Sequence, residues 1–213
     1  MARPGILGGT FVPPHVGHMA VAHAALAQLA LDRVLLMPAN RNPMKGRGPA
    51  SAPLQRLAMC RLAAAGAERV EACGLEIERG GASFTVDTLR GIHGSHPDAA
   101  LTFILGADTA TQLPSWREPQ ALVELAELAV AARGGAARAQ VSGALAPLAA
   151  EVPDAPARGL RLAFLEMPEI DVSASEVRRR VAAGEPIADL VAPAVAAYIA
   201  EHGLYARAAE VSR

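Results

Sequence analysis

The chain has 213 residues and a formal net charge of −1. A near-neutral chain of this length is typical of one globular domain. It disfavours a general binder of nucleic acid or anionic membranes, because such binders carry an excess of positive charge. Hydrophobic residues make up 52% of the chain but aromatic residues only 3%, so the core must be built mainly from Ala, Leu and Val.

The sequence carries no sign of export or membrane insertion. The amino terminus, M-A-R-P-G-I-L-G-G-T, is too poor in apolar residues for a signal peptide, and no segment approaches the roughly 18 apolar residues of a membrane-spanning helix. Cys60 and Cys73 form neither a C-x-x-C pair nor a disulfide framework. We therefore expect two buried thiols in a soluble, cytoplasmic protein with no membrane and no nucleic-acid partner.

The first part of the chain predicts a strand–helix–strand unit. A short apolar strand over Gly5–Gly8 is followed by His18–Leu31, which is rich in helix formers and lacks internal Gly or Pro. Arg33–Met37 then predicts a second buried strand. Two strands joined by a helix of this length pair in parallel with a right-handed crossover.

The rest of the chain continues this alternation. The predicted elements are a basic loop over Asn40–Ala52, helices over Pro53–Ala65, Ser83–His93 and Leu122–Leu128, strands over Val70–Glu78, Leu101–Gly106, Ala129–Arg133 and Leu160–Met167, and a surface helix and loop over Gly134–Gly159. From Ser173 the pattern is helical to near the end, with a break at Gly184 and a helix C′ residue at Gly203. Ser83 or Thr85 is the candidate N-cap of its helix.

This alternation predicts an α/β fold. We expect a Rossmann-like open parallel sheet with helices on both faces, in a single domain over residues 1–213 whose last part, about 173–213, is a small C-terminal helical portion. Ligands of such sheets bind outside the carboxyl ends of the strands. The places that this rule selects, which should converge in space, are Gly8–Phe11, Pro38–Lys45, Gly106–Asp108 and Met167–Ser175.

The first of these places begins the stretch G-G-T-F-V-P-P-H-V-G-H, Gly8 to His18. Its glycines, Gly8 and Gly9, let backbone N–H groups approach a phosphate closely, although neither the dinucleotide fingerprint nor the P-loop spacing is present. Three interpretations of His15 and His18 remain. They could ligate a metal, although no second pair of ligands is evident, or they could shape a turn and cap a helix. Alternatively, both imidazoles could hydrogen-bond phosphate oxygens at the helix start.

The last of these places leads into D-V-S-A-S-E-V-R, Asp171 to Arg178. Ser173 followed by Glu176 is the pattern of a capping box, which alone would explain both residues. The hydroxyls of Ser173 and Ser175, together with Arg178, also make up an anion site. The sequence leaves both interpretations open.

Three further positions admit two interpretations each. Asp108 could accept hydrogen bonds from a ribose or act as an N-cap, and Trp116 could be packing or a stacking platform for a flat ligand. Lys45, in the basic loop, could bind phosphates or be solvated together with Arg41 and Arg47.

Together these residues resemble the nucleotidyltransferases that carry an H-x-G-H motif, here His15–His18, and an I-S-S-T-x-x-R-like motif, here Val172–Arg178. Within that superfamily the sequence is similar to the bacterial nicotinate mononucleotide adenylyltransferases. The supporting stretches include N-P-M-K, S-F-T-V-D-T-L, F-I-L-G-A-D and L-P-x-W. The likeness runs from Ile6 to Tyr205, with Gly134–Gly159 outside it.

The resemblance implies that ATP and nicotinate mononucleotide are the substrates. AMP would be transferred to give nicotinate adenine dinucleotide and pyrophosphate, a late step of NAD synthesis. It implies in-line attack by the mononucleotide phosphate without a covalent enzyme intermediate, which agrees with the lack of a candidate nucleophile–base pair in the sequence. Mg²⁺ would arrive with ATP, held by phosphates and water rather than by a protein metal site.

The same resemblance assigns the site residues. His15, His18 and Arg178 are the expected catalytic residues. The expected ATP-binding residues are these three with Gly8, Gly9, Thr10, Phe11, Gly106, Asp108, Ser173 and Ser175, and the expected residues for the second substrate are Lys45, Phe84, Thr85, Asp108 and Trp116. Trp116 would stack on the pyridine ring and the Phe84–Thr85 helix start would bind its carboxylate, so we expect the acid to be preferred over the amide.

The chain departs from the family at Val12, where Asp is usual, and at Pro14, where Ile or Val is usual. Val12 removes a carboxylate from the stretch Gly8 to His18, which is called the opening turn below, and with it any hydrogen bond that such a group would make. Two alternatives stay open: another H-x-G-H adenylyl- or cytidylyltransferase, and a non-catalytic nucleotide-binding protein. A homo-oligomer is compatible with the sequence.

Overall fold

The computed structural model describes residues 2–44, 50–132, 134–150, 160–168 and 170–206. Within these residues the centre of the fold is a six-stranded parallel sheet with the order β3-β2-β1-β4-β5-β6. The strands are β1 (Pro4–Gly9), β2 (Arg33–Pro38), β3 (Val70–Ala72), β4 (Leu101–Gly106), β5 (Ala126–Ala131) and β6 (Leu162–Leu165). This confirms the predicted open parallel sheet, and the strand order reverses between β1 and β4.

Helices flank the sheet in the described part of the chain. They are α1 (Val16–Gln28), α2 (Pro53–Ala64), α3 (Leu75–Arg79), α4 (Thr85–Ser95), α5 (Ala107–Ala110), α6 (Pro119–Leu125), α7 (Gly134–Ala150), α8 (Ala174–Ala183) and α9 (Pro193–Glu201), with a 3₁₀ turn at Leu113–Ser115. None of the described helices is long and apolar enough to cross a membrane.

Alternation along the strands places the helices on both faces. In β1, Ile6 belongs to the buried cluster that includes residues of α4, α6 and α7, whereas Leu7 belongs to the cluster formed with α1 and α2. Phe103 and Ile104 of β4 divide between the same two clusters. Because successive strand residues point to opposite faces, an apolar run of this kind must be covered on both sides.

A third cluster attaches the carboxyl-terminal helices. Met59 and Ala63 of α2 pack against Val177 of α8 and Val195 of α9. Gly203 follows α9 with φ +58°, and the N–H of Leu204 donates to the carbonyl of Ile199, so the predicted helix C′ position at Gly203 is confirmed.

Several predicted boundaries were wrong. The strand over Val70–Glu78 ends at Ala72, and Gly74 precedes a helix made by L-E-I-E-R. The predicted helix over Leu122–Leu128 ends at Leu125, because Ala126 to Ala131 pair with β4 as a strand. The N-cap of α4 is Phe84, not Ser83 or Thr85.

Two other predictions were incomplete. The surface helix predicted within Gly134–Gly159 is α7, but its Val141, Leu145 and Leu148 are buried in the core. Cys60 is buried as expected, whereas Cys73 is partly exposed.

Candidate active site

The carboxyl ends of the strands open into one cleft of about 1160 Å³. The four places that the sheet rule selected all contribute to its lining, through Gly8, Ala39, Gly106 and Met167 among others. The predicted convergence is therefore confirmed. The cleft lies where the strand order reverses between β1 and β4, which is the usual ligand position in an open α/β sheet.

His15 and His18 stand together at the start of α1. His15 is the N-cap, with extended backbone angles (φ −141°, ψ 172°), and the two ring centroids are 3.8 Å apart. The backbone N–H of His15 donates to Nδ1 of His18 at 3.2 Å. Since this nitrogen accepts, the proton of the neutral His18 ring lies on Nε2. The helix-capping interpretation of His18 is thus confirmed, and it leaves Nε2–H as a donor.

Both rings are neutral at physiological pH. Burial lowers the pKa of His15 from its usual range to about 4. Burial, together with the neighbouring His15 ring, lowers the pKa of His18 to about 3. Nδ1 of His15 is buried and has no hydrogen-bond partner among the described residues. The pair therefore offers N–H donors without positive charge to an anion in the cleft.

The pair has no third ligand for a metal within the described residues. No group of three or more His, Cys, Asp or Glu side chains there is placed to hold a metal ion. A protein zinc site needs three or four such ligands, so this part of the chain gives the metal interpretation of the H-x-x-H spacing no support.

Two close approaches shape the opening turn. Phe11 has φ +51° and is buried, and its ring packs on His18 with centroids 4.8 Å apart. A Cβ at Gly17 would lie 2.9 Å from Cγ1 of Val172 and 3.1 Å from Nδ1 of His15. The glycine of the H-x-G-H motif is therefore what allows the start of α1 to meet the segment that precedes α8.

The second motif starts α8 and reaches back to the opening turn. Arg178 donates through Nη1 to the carbonyl of Val12 at 2.7 Å and through Nη2 to Oγ of Ser175 at 3.1 Å. It pairs with no carboxylate of the described residues. Arg178 therefore connects two motifs that are far apart in sequence. The structure does not explain why residue 12 is Val, whose side chain is buried.

The predicted capping box at α8 is half present. Oγ of Ser173 accepts from the N–H of Glu176 at 3.1 Å, as an N-cap should. The Glu176 carboxylate, however, turns to Arg179 and Arg180, whose hydrogen bonds hold its pKa at about 2. The Glu176 carboxylate is thereby engaged away from the first amides of α8.

The opposite wall of the cleft is formed by α4 and the segment around Trp116. The ring of Trp116 packs edge-on against Phe103, with centroids 6.1 Å apart, and its indole Nε1 is buried without a partner among the described residues. The Arg117 guanidinium lies over the Phe84 ring at 4.9 Å, and it pairs with Asp87 of the first turn of α4 at 3.3 Å. Trp116 is thus at once a packing residue and part of the cleft wall.

Asp108 lies in α5, directly after β4. Its side chain is exposed and lines the cleft, but Gly106 is the N-cap of this helix. The alternative interpretation of Asp108 as an N-cap was therefore wrong.

The sequence model of the cytidylyltransferase-like family matches residues 6–180 of the chain. The chain belongs to the cytidylyltransferase-like family. Among its relatives, a probable nicotinate-nucleotide adenylyltransferase of Roseiflexus sp. (strain RS-1) is 43% identical over 201 residues, which is 94% of this chain and 96% of the relative. Another of the same name, from Bordetella avium (strain 197N), is 44% identical over 207 residues, covering 96% and 98%.

A solved structure shares the fold of this cytidylyltransferase-like chain. Plasmodium falciparum nicotinic acid mononucleotide adenylyltransferase, complexed with NaAD, aligns with a TM-score of 0.72 and 19% identity over 96% of this chain and 98% of its own. The likeness supports the Rossmann-like architecture described above.

Most of the predicted site residues of this family member come together in the cleft. Those that line it are Gly8, Gly9, Thr10, His15, His18, Phe84, Thr85, Gly106, Asp108 and Trp116. Phe11, Ser173, Ser175 and Arg178 do not line it, although Phe11 and Arg178 contact residues of the opening turn. Lys45, with Arg47, lies outside the described residues.

The sequence interpretation did not single out Arg117, which lines the cleft over the Phe84 ring, or Arg56, which lies beside the cleft. Arg56, in α2, is fully buried and donates to backbone carbonyls beside the cleft, including that of Thr10. An Arg that follows Gln in a helical pattern is typical of an exposed position, so this residue type gave no indication that Arg56 is buried.

Proposed function

We propose that this chain transfers AMP from ATP to the 5′-phosphate of nicotinate mononucleotide, releasing pyrophosphate. The observation that carries the proposal is the neutral His15–His18 pair at the start of α1, in the cleft at the carboxyl ends of the strands. The relatives of about 40% identity that cover nearly the whole chain carry the corresponding enzyme name.

The chemistry needs positioning and charge neutralisation more than a reactive side chain. A phosphate oxygen of the mononucleotide attacks the α-phosphorus of Mg·ATP, and the bond from that phosphorus to the bridging oxygen breaks, so pyrophosphate leaves with the bonding electrons. Negative charge develops on the departing oxygens. We propose that Nε2–H of His18, the His15 ring and the start of α1 stabilise that charge, and that Arg178 neutralises the triphosphate.

The second substrate would bind along the wall formed by α4 and Trp116. Its pyridine ring would stack on Trp116, and its carboxylate would accept hydrogen bonds at the start of α4 near Thr85. Arg117 supports this placement because it pairs with Asp87, the carboxylate of the first turn, which would otherwise repel an anionic ring. We therefore propose that nicotinate mononucleotide is preferred over the amide form.

Two further expectations concern where the protein acts and whether it assembles into an oligomer. Both substrates are metabolites of the cell interior, so we infer that the protein acts in the cytoplasm. A homo-oligomer stays a prediction.

One assay tests the proposal. The purified chain is incubated with Mg·ATP and, in separate reactions, nicotinate mononucleotide, nicotinamide mononucleotide and 4′-phosphopantetheine, and pyrophosphate release is measured. A parallel series replaces ATP with CTP and offers small phosphorylated alcohols. We expect release with ATP and nicotinate mononucleotide, with a kcat/KM for the acid at least ~10-fold above that for the amide, the size of one charge-assisted contact.

The other outcomes each overturn a part of this proposal. Comparable turnover of acid and amide would overturn the placement of the carboxylate at α4. Release only with phosphopantetheine, or only with CTP, would assign a different transferase activity. ATP binding without release for any acceptor would assign a non-catalytic nucleotide-binding protein.

A further inference from the structure

Arg56 is a charged side chain that the proposed chemistry does not use. It lies in the first turns of α2 and is 0% exposed, the largest fully buried side chain of the described residues. Arg is rarely buried unless its donors are satisfied, because an unpaired buried charge is strongly unfavourable. Its partners therefore indicate what it is for.

All of its hydrogen bonds within the described residues go to backbone carbonyls. Nη1 donates to Thr10 at 3.0 Å and to Ala39 at 2.5 Å, and Nη2 donates to Asn40 at 2.9 Å. A longer bond, 3.4 Å, joins Nε to the carbonyl of Ser51. One planar guanidinium thus holds three separate segments of the chain, an arrangement for which its fixed fork of donors is suited.

Two of these segments, at Thr10 and at Ala39–Asn40, form the two walls of the cleft where β1 and β2 separate. The strands stay paired up to Gly9 and Pro38, and the N–H of Ala39 still donates to the carbonyl of Gly9. Beyond that point the first segment turns towards the histidine pair and the second towards α4. Thr10 and Ala39 both line the cleft, and Arg56 spans the gap behind them.

The second segment continues the connection to the opposite wall. The N–H of Asn40 donates to Oγ of Ser83 at 2.9 Å, and the N–H of Ser83 donates to the carbonyl of Arg41 at 2.9 Å. Ser83 immediately precedes Phe84, the N-cap of α4. A continuous set of hydrogen bonds therefore runs from the opening turn, through Arg56, to the helix start at which the acceptor is proposed to bind.

We propose that Arg56 is a positioning residue that sets the alignment of the two substrates by fixing these two walls relative to each other. The proposal rests on the proposed function for its kinetic test. Without Arg56 each nucleotide could still bind to its own wall of the cleft, so the two KM values would change little. The phosphates of the two substrates, however, would no longer be aligned for in-line attack, so kcat would fall. A misplacement of about 1 Å is enough to lower a rate on the order of 10²-fold.

Arg69 provides a matched control. It also uses a guanidinium to hold a backbone carbonyl, donating from Nη1 to Leu31 at 3.2 Å. Arg69 lies immediately before β3 and Leu31 just before β2, at the amino ends of the strands, away from the cleft. Arg69 therefore makes the same kind of arginine–carbonyl contact at the opposite end of the sheet, where its loss should not affect the alignment of the substrates.

The experiment compares Arg56→Lys and Arg56→Ala with Arg69→Lys and Arg69→Ala. For each variant, kcat, both KM values and the melting temperature are measured. We expect Arg56→Lys to lose on the order of 10²-fold in kcat with each KM within ~3-fold of the parent, and Arg69→Lys to keep the parent kcat. Added guanidinium, at concentrations that leave the parent folded, should restore part of the kcat of Arg56→Ala.

A second readout does not depend on activity. Hydrogen–deuterium exchange should increase in peptides covering Gly8–His18 and Pro38–Met44 in Arg56→Lys but not in Arg69→Lys. If Arg56→Ala fails to fold, Arg56→Lys decides both readouts.

The inference is overturned if folded Arg56→Lys keeps a kcat within ~2-fold of the parent, if Arg69→Lys loses as much, or if exchange in the two peptides is unchanged. A parent chain that releases no pyrophosphate with any acceptor overturns the proposed function instead. In that case the exchange comparison alone tests the role of Arg56.

Discussion

His18 combines two roles on the two nitrogens of one ring. Nδ1 accepts the N–H of its own helix N-cap, and this contact fixes the tautomer that presents Nε2–H. The capping and phosphate-donor interpretations of the sequence are therefore compatible, since each uses a different atom.

Replacing His18 with Asn separates these roles. The side-chain oxygen of Asn can accept at the position of Nδ1, whereas nothing in Asn reaches the position of Nε2. We expect His18→Asn to melt close to the parent but to lose on the order of 10²-fold in kcat, the usual effect of one lost transition-state donor. His18→Ala also loses the capping acceptor, so its free energy of unfolding should fall by about 1 kcal/mol and its melting temperature should fall with it. A His18→Asn enzyme with the parent kcat would contradict the donor role.

The histidine pair also predicts the pH dependence of stability. In the unfolded chain both rings titrate near pKa 6.5, whereas in the folded protein they titrate at about 4 and about 3. As the pH falls below 6.5, protons bind the unfolded chain first and stabilise it, so the free energy of unfolding falls across this window. We expect the melting temperature to drop less, from about pH 7 to about pH 4.5, in His15→Gln/His18→Asn than in the parent. Parallel curves would contradict the lowered pKa values.

At the scale of elements, the start of α1 and the segment before α8 fit each other closely. The contact depends on the missing side chain at Gly17, where a Cβ would overlap Val172 and crowd His15. The two sequence motifs are therefore one packed unit in the folded protein, although the sequence separates them by about 150 residues.

Gly17→Ala tests that contact. Overpacking at such a site costs about 1–3 kcal/mol, and the shift of His15 should also lower kcat/KM for ATP. In Gly17→Ala/Val172→Ala the second change removes the γ-methyl that the new Cβ would meet, so stability and activity should recover substantially. Thermal melts and steady-state kinetics of the single and double variants measure this coupling. A double variant no better than Gly17→Ala would show that the Val172 contact is not the constraint.

At the scale of the whole molecule, the parallel sheet and the helices on its two faces were predictable, because apolar strands and helical segments alternate clearly along most of the sequence. β5 was misplaced because A-E-L-A-V-A contains one β-branched residue, and only its pairing with β4 makes it a strand. The α3 helix was missed for the opposite reason: five residues after a strand are too few to establish a helical period.

The position of the site was predictable from topology, but its internal connections were not. The rule for open parallel sheets brought the strand ends together correctly. Arg56 and Arg178 both act on backbone carbonyls, and a carbonyl belongs to every residue type alike. No pattern of side chains could therefore have indicated which carbonyls these arginines would hold.

The hydrogen bond from Arg178 to the carbonyl of Val12 has a consequence for substitutions at residue 12. Because the acceptor is a main-chain carbonyl, this hydrogen bond depends on the path of the backbone through the turn and not on the identity of residue 12. The link between the two motifs therefore tolerates a change of side chain at residue 12, provided that the turn keeps its course. Residue 12 thus joins the two halves of the site through its backbone carbonyl, whatever side chain it carries.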